Sequence, residues 1–582
     1  MHRHESAQQL PKNSRSGAQG TPDLSKARGK HIAMRPPLNR TTETASGSRG
    51  ASLVEGDSSL RSNAEPYSAL LDGVVLVLLT IFAALTRFWR LSEPKAVVFD
   101  EFHFGKFVEA YFTGEYFFDI HPPLGKLLLA LGAYLHGYNA SFSYDQIGAE
   151  YPDKSYVGAR TVAAVFGTLL VPLMYLVARE LSLHVAASVL AAAWVLLEVA
   201  TTIESRHILT DSQLLFFLLL HFYCVLRLWR TRDGTRARWR WLYWSGISAG
   251  LALSIKWTAL ATPALAGVVS VFGSRALLRS QKRIPLWQCV FVGLLALALY
   301  TSFFWIHFRL LPRSGSGDAF MLPDFRAKLI GSPEYNAAAA PVPFFRKFVY
   351  LNKEMLRANA QVPGRHHWES KWWSWPLNLR GILYWIQTKR APWAENPNTT
   401  RSAPAEANQH GTGVTPRSQY PVIEARVYLI LNPVIAWSVL CSLLFFGFLL
   451  AQNFIAGLGG FGDRAPRRLQ TAELPKKQRR SQQKLYALGT YLFTGWLLNL
   501  LPYIGVKRAA FLYHYLPGLL YGILLTALLV DRAPLARTGH YQLVTIGVLL
   551  AAAAFIYFSP WIYGLYLTIE EQQKRRWLRG WN

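Results

Sequence analysis

The sequence predicts an all-α, polytopic membrane protein: a bundle of about eleven transmembrane helices carrying two long loops on one face. Three observations point there. Of the 582 residues 51% are apolar and only 16% charged, against about a quarter charged in soluble domains. Many apolar runs reach the roughly 20 residues that cross a bilayer. The basic residues behind the net charge of +28 sit in short clusters between those runs, where positive-inside topology puts them, so nucleic acid is not their expected partner. Cys224, Cys289 and Cys441 all lie inside apolar runs and read as packing residues, with no disulfide or zinc framework.

Residues 1–67, rich in Ser, Gly, Pro, Arg and Lys, lack apolar periodicity and read as a disordered basic cytosolic tail. No short apolar region with a small-residue cleavage site precedes the first span, 69–88, which reads as an uncleaved anchor. Further spans fall at 157–178, 185–203, 208–228, 241–256, 258–275, 286–306, 427–450, 486–504, 510–530 and 541–563. Basic clusters at Arg227–Arg240, Arg275–Arg283 and Arg464–Lys484 then face the cytosol. Loops 89–156 and 331–426 fall on the opposite side. The resulting units are 68–330, an N-terminal transmembrane domain; 331–426, a luminal loop; 427–565, a C-terminal four-helix domain; and 566–582, a tail. One feature disagrees: Lys574, Arg575, Arg576 and Arg579 land on the non-cytosolic side.

Within the first loop, 101–112 and 123–135 are too short to span but have apolar faces, as helices lying along a membrane surface do. The loop offers two adjacent carboxylates, Asp100 and Glu101, with no basic neighbour at helical spacing. An N-cap role accounts for Asp100 but not for Glu101. Ionisable residues gather at span ends on the same face: Arg160, Glu204, Arg206, Asp211, Lys256, His307, Arg309, Lys507, Arg508 and His514. Each costs several kcal/mol at membrane depth unless paired or wet; snorkelling explains any single one, but not their convergence. Carboxylates ringed by cations suit an anionic head group worked on by a base, and a lipid phosphate is the natural candidate.

Several blocks resemble the protein O-mannosyltransferases, membrane enzymes of the GT-C class: Phe99-Asp-Glu-Phe-His-Phe-Gly-Lys-Phe107, Phe118-Asp-Ile-His-Pro-Pro-Leu-Gly-Lys126, Ser205-Arg-His-Ile-Leu-Thr-Asp211, Ser254-Ile-Lys-Trp257, Ser314-Gly-Ser-Gly-Asp-Ala-Phe-Met321, Ser370-Lys-Trp-Trp-Ser-Trp-Pro376, Leu431-Asn-Pro-Val434 and Phe511-Leu-Tyr-His-Tyr-Leu-Pro517. The resemblance implies a GT-C bundle in the endoplasmic reticulum membrane, with a bacterial plasma membrane as runner-up. It implies transfer of mannose, with inversion, from dolichyl phosphate mannose to Ser or Thr hydroxyls of proteins, and pairing with itself or a related subunit. The family's acidic pair falls on Asp100 and Glu101, and its loop arginine on Arg160. In common eukaryotic members a MIR module follows the block ending near Leu329; here Ser332-Pro-Glu-Tyr-Asn leads almost directly to Pro343-Phe-Phe-Arg-Lys347, so the module is missing.

A Ser or Thr hydroxyl needs a base, and Asp100 is the candidate, with Glu101 tuning its pKa or orienting the acceptor. The departing lipid phosphate needs cations: Arg160, Arg206 and Lys256, with Arg508 and His514 behind them. His121, Pro122, Lys126 and Asp211 are assigned to acceptor binding or structural support. The long loops contain no Asp-x-Asp pair, so no metal and no cofactor is expected beyond the lipid donor. Three alternatives stand beside this reading: a GT-C transferase acting on a lipid or glycan, a catalytically silent partner subunit, and a transporter, which would show repeats and broken helices at mid-membrane.

Overall fold

The computed structural model describes residues 68–140, 142–274, 277, 283–361, 365–390, 422–458 and 476–581. The tail 1–67 and the polar insertion 391–419 lie outside them. The described residues form one compact unit.

Helix α1 (Ser68–Phe88) is apolar nearly all round. In the first loop α2 (Glu101–Thr113) closes on Gly114, whose φ of 76° supplies the left-handed turn a C-cap needs, and α3 (Leu124–Leu135) starts behind Pro123. Then come α4 (Val157–Glu180), α5 (Val185–Leu196), α6 (Val199–Glu204), α7 (Asp211–Arg230), α8 (Arg236–Leu253), α9 (Ala261–Phe272) and α10 (Leu286–Leu310). The second loop holds a single turn, α11 (Pro323–Arg326), the helix α12 (Phe344–Gln361), and strands β1 (Ile382–Arg390) and β2 (Val422–Leu429). The chain finishes with α13 (Pro433–Leu458), α14 (Lys476–Leu498), α15 (Leu516–Arg532), α16 (Arg537–Tyr563), strand β3 (Tyr566–Thr568) and α17 (Ile569–Lys574).

Every apolar run read as a span contains helix. Among the described residues seven helical stretches are both long and apolar enough to cross a membrane, within α1, α4, α7, α10, α13 and α16 and from Leu512 through α15. The chain is a multi-pass membrane protein of predominantly helical fold. The run 185–203 is not one helix: it breaks at Leu197 and Glu198, and the buried Glu198 carboxylate takes the amide of Ala200 (3.2 Å), a free donor at the start of α6, and that of Asn432 (2.9 Å), just before α13. The start of the run 427–450 is likewise corrected, because Val427–Leu429 close a strand and the helix begins at Pro433.

The addition to an all-helical plan is an antiparallel sheet in the order β1-β2-β3. Ile382 faces Leu429 and Arg390 faces Val422, while Ile423 to Ala425 pair with Thr568 to Tyr566. The stretch after 565 is therefore folded rather than a tail. It continues the sheet, and Trp581 is buried with its indole N–H on the Asn378 carbonyl at 2.7 Å. Because β1 also touches the Asp100 loop, through the bond from the Phe99 amide to the Tyr384 carbonyl, the late basic residues lie on the Asp100 face.

Helix α3 is seated on α4 where Gly132 and Gly158 face each other, each occupying space that a Cβ on the other would fill with backbone overlap. That crossing fixes α3, and with it the His121-Pro-Pro turn, over the bundle.

Candidate active site

Phe99 has φ of +42°, a conformation bulky residues avoid, and it turns the chain so that Asp100 precedes α2. Asp100 stands at the N-cap position, but its own φ is helical and its side chain makes no capping bond. Capping therefore does not explain it. Burial pushes its carboxyl up to about 7; the Lys256 charge and a hydrogen bond from Tyr513 pull the other way, while Asp211 and Asp119 add to the rise.

Glu101 is in a different situation. It is fully buried, and its two oxygens accept from Arg160 Nε (2.8 Å), Arg160 Nη2 (2.9 Å), the amides of Val98 (2.9 Å) and Ile208 (2.8 Å) and the Tyr151 hydroxyl (3.2 Å). Burial opposes its ionisation, yet Arg160 and His207 hold it far below the usual carboxylate range.

Two sequence expectations are corrected here. Arg160 has five N–H donors, and all find partners: Glu101 twice and the carbonyls of Leu91 (3.2 Å), Pro94 (3.0 Å) and Ala96 (3.1 Å). Being unexposed as well, it has nothing left for a phosphate and instead ties the loop to α4. Arg206 is also unexposed. It donates to the carbonyls of Arg87 (2.9 Å), Trp89 (2.6 Å) and Arg90 (2.9 Å) and packs over the Tyr563 ring. It closes the carbonyl end of α1 rather than facing a ligand.

Lys256 and Asp211 stand beside Asp100, and His121, Arg508 and His514 group near Lys256. Lys256 Nζ pairs with Asp211 at 2.7 Å, which engages one of the three donors of an ammonium. His121 stands near the charges of Lys256, Lys126 and Arg508, and burial with those charges holds its imidazole neutral, well below its ordinary value. Lys126 binds Asp119 at 2.5 Å and the carbonyls of His121 (2.8 Å) and Pro122 (3.0 Å), so it holds the His-Pro-Pro turn in shape. Arg508 is half-buried, with its charge felt at His121 and Tyr503. The His514 ring is bonded to the Phe511 backbone and stacks on Tyr513 at 4.5 Å. Asp119, His121, Lys126, His307 and Met355 line a small polar cavity beside this group.

Sequence reasoning gave no role to Tyr513, Asp119 or Tyr384. The first two stand inside blocks that carry the family resemblance, Phe511–Pro517 and Phe118–Lys126, so the signal was present. Nothing in the sequence connects Tyr384, on β1, to the loop nearly three hundred residues earlier.

Fold and pocket together define a class: a multi-pass membrane protein in which a desolvated carboxyl stands beside cations at one end of a helix bundle. The chain belongs to the protein O-mannosyltransferase family. Its residues 77–312 match the family model described as dolichyl-phosphate-mannose-protein mannosyltransferase, and 344–581 match the C-terminal four-transmembrane region of protein O-mannosyltransferase. Among curated relatives it is 34% identical over 282 residues to dolichyl-phosphate-mannose–protein mannosyltransferase 4 of Saccharomyces cerevisiae, covering 46% of this chain and 37% of that one. It is 34% identical over 273 residues to protein O-mannosyl-transferase 2 of Danio rerio, covering 45% and 36%. The matched stretch thus spans little more than a third of those relatives. The fold matches the S. cerevisiae protein O-mannosyltransferase Pmt1-Pmt2 complex, solved bound to the sugar donor, with a TM-score of 0.73 at 20% identity over 88% of this chain and 93% of that one.

Proposed function

We propose that this protein transfers mannose from dolichyl phosphate mannose to Ser or Thr hydroxyls of proteins, with inversion, at the luminal face of the endoplasmic reticulum membrane. Asp100 is the base. The observation that carries the reading is the contrast between neighbours: Glu101 is consumed by Arg160, whereas Asp100 is a carboxyl raised to about 7 with no ion pair to fix it among the described residues, poised near the pH at which a general base works best.

In the reaction the acceptor oxygen bonds to the anomeric carbon, its proton passes to an Asp100 oxygen, and the bond from that carbon to the phosphate oxygen breaks on the opposite side. The departing dolichyl phosphate takes the electron pair. Lys256 and Arg508 stabilise that charge without reorganising, and His514 and neutral His121 line the approach. No metal enters the scheme, so activity should survive chelators. An apolar cleft of about 450 Å³, lined by Leu253, Trp257, Leu260, Leu297 and Tyr300, includes the sequence neighbour of Lys256 and offers the polyprenyl chain a place to lie. Pairing with a second copy or a related subunit belongs to the same reading, supported by the two-subunit composition of the yeast complex.

The test is transfer of labelled mannose from dolichyl phosphate mannose to a Ser/Thr-rich peptide by the Asp100→Asn protein. A loss of at least about tenfold in rate, with insertion and yield unchanged, is expected. Undiminished transfer would remove Asp100 from the chemistry.

A further inference from the structure

The base sits on a turn whose shape its own residues disfavour. Phe99 holds φ of +42°, a strained state for a bulky side chain, which persists only where the surroundings over-determine it. On the Glu101 side the Arg160 knot anchors the turn. On the other side the contacts come from β1: the Phe99 amide donates to the Tyr384 carbonyl at 3.0 Å, and the two rings stack at 4.4 Å, only 6° from parallel. Phe99 and Tyr384 are both buried, and the Tyr384 hydroxyl is bonded to the buried carboxyl of Glu204 at the end of α6. Phe511 meets the Phe99 ring edge-on at 6.1 Å, from the same short segment that supplies Tyr513 to Asp100.

We propose that Tyr384 is a positioning residue for the transfer reaction: stacked on Phe99 and pinned through Glu204, it holds residue 99 in its left-handed conformation and so aims the Asp100 carboxyl at the acceptor. A strand in the C-terminal half of the chain thereby completes a site whose base lies in the N-terminal half. The inference rests on Asp100 being the base, and Asp100→Asn tests that separately.

The experiment is a set of full-length variants assayed with dolichyl phosphate mannose and a Ser/Thr-rich peptide. Tyr384→Leu keeps bulk and loses the stacking ring; kcat should fall by about tenfold to a hundredfold, the effect of misplacing a reacting group by about an ångström, with KM for both substrates little changed. Tyr384→Phe keeps the stacking ring but loses its bond to Glu204, so its loss of kcat should be real but smaller than that of Tyr384→Leu. The decisive arm is a cycle with Phe99→Gly, since glycine adopts positive φ without penalty: in that background Tyr384→Leu should cost much less than in the parent. If the two losses simply multiply, or if Tyr384→Leu raises KM and leaves kcat alone, Tyr384 does not position the base. Should Tyr384→Leu fail to yield a monodisperse protein, the same cycle run with Tyr384→Met, which also removes the ring, decides between the two outcomes. A loss with Asp100→Asn and none with the Tyr384 variants would sink the positioning role and leave the base assignment standing.

Discussion

The Glu101 carboxylate and the Arg160 guanidinium meet side-on, Nε to Oε1 at 2.8 Å and Nη2 to Oε2 at 2.9 Å, with neither side chain exposed. A buried pair of this kind stabilises little over a well-packed apolar substitute, but breaking it strands a charge. Glu101→Gln leaves Arg160 without its counter-ion and the Val98 and Ile208 amides with a poorer acceptor. The expected outcome is a loss of about 3–5 kcal/mol in stability, seen as lower yield and a lower apparent melting temperature in detergent. Whatever Glu101→Gln protein does fold should keep a pH profile like that of the parent. An intact melting temperature with lost activity would move Glu101 from structure into chemistry.

Asp100 gives a pH dependence of opposite sign to the usual acidic residue. Its carboxyl titrates at about 7 in the fold, against 3.8 for an unperturbed aspartate. Between those values the folded chain keeps a proton that the unfolded chain has lost, so this residue's contribution to stability declines as pH rises from about 4 to about 7. Asp100→Asn abolishes that decline. Its melting temperature should therefore exceed the parent's at about pH 8 and converge with it near pH 4, while parent activity rises with pH through about 7 as the base ionises. Parallel melting curves for the two proteins across that range would contradict the raised value.

How much of this was visible in the sequence depends on the range of each interaction. The apolar runs, the two short helices of the first loop and the oddity of adjacent carboxylates without a local base are short-range facts; each run and both short segments contain helix, with a break at Leu197 and Glu198 and a strand at Val422–Leu429. Arg160 and Arg206 read in the sequence as cations at span ends, and both are buried in the fold. Their partners were not legible, because Arg160 closes on a carboxylate 59 residues away and Arg206 on carbonyls 116 to 119 residues away. A lone cation at a span end looks the same whether it awaits a phosphate or fastens a loop. The sheet was missed for a related reason. In Val422–Leu429 only Glu424 and Arg426 interrupt the apolar residues, and the run flows into α13 without a break in hydropathy, while its partner β1 lies across a polar insertion.

Lys256 links the two halves of the proposed chemistry, and one substitution separates them. Its positive charge lowers the Asp100 pKa, so Lys256→Met should raise that pKa further and move the acid limb of the rate profile to higher pH. The same change removes a cation from the departing phosphate, where loss of a preorganised donor costs about 10²–10³ in kcat. Asp211, left without its partner at 2.7 Å, would add to the alkaline shift. A slower enzyme with an unmoved acid limb would mean that Lys256 serves the phosphate alone.

The C-terminal segment makes a prediction that a disordered tail would not. Residues 566–568 add the outer strand to β2, Gln572 takes the Trp561 indole N–H at 2.6 Å and donates to the Glu424 carbonyl at 2.8 Å, and Trp581 fills a fully buried site against Asn378. Deleting residues 566–582 exposes one edge of the sheet whose other strand braces Phe99, and it strands the buried Trp561 donor, a cost of about 1–3 kcal/mol for that group alone. The truncated protein should melt earlier than the parent and lose transfer activity. Point substitution of the exposed Arg576, by contrast, should leave both nearly unchanged, which distinguishes loss of the strand and its buried anchors from a general sensitivity of the C-terminus.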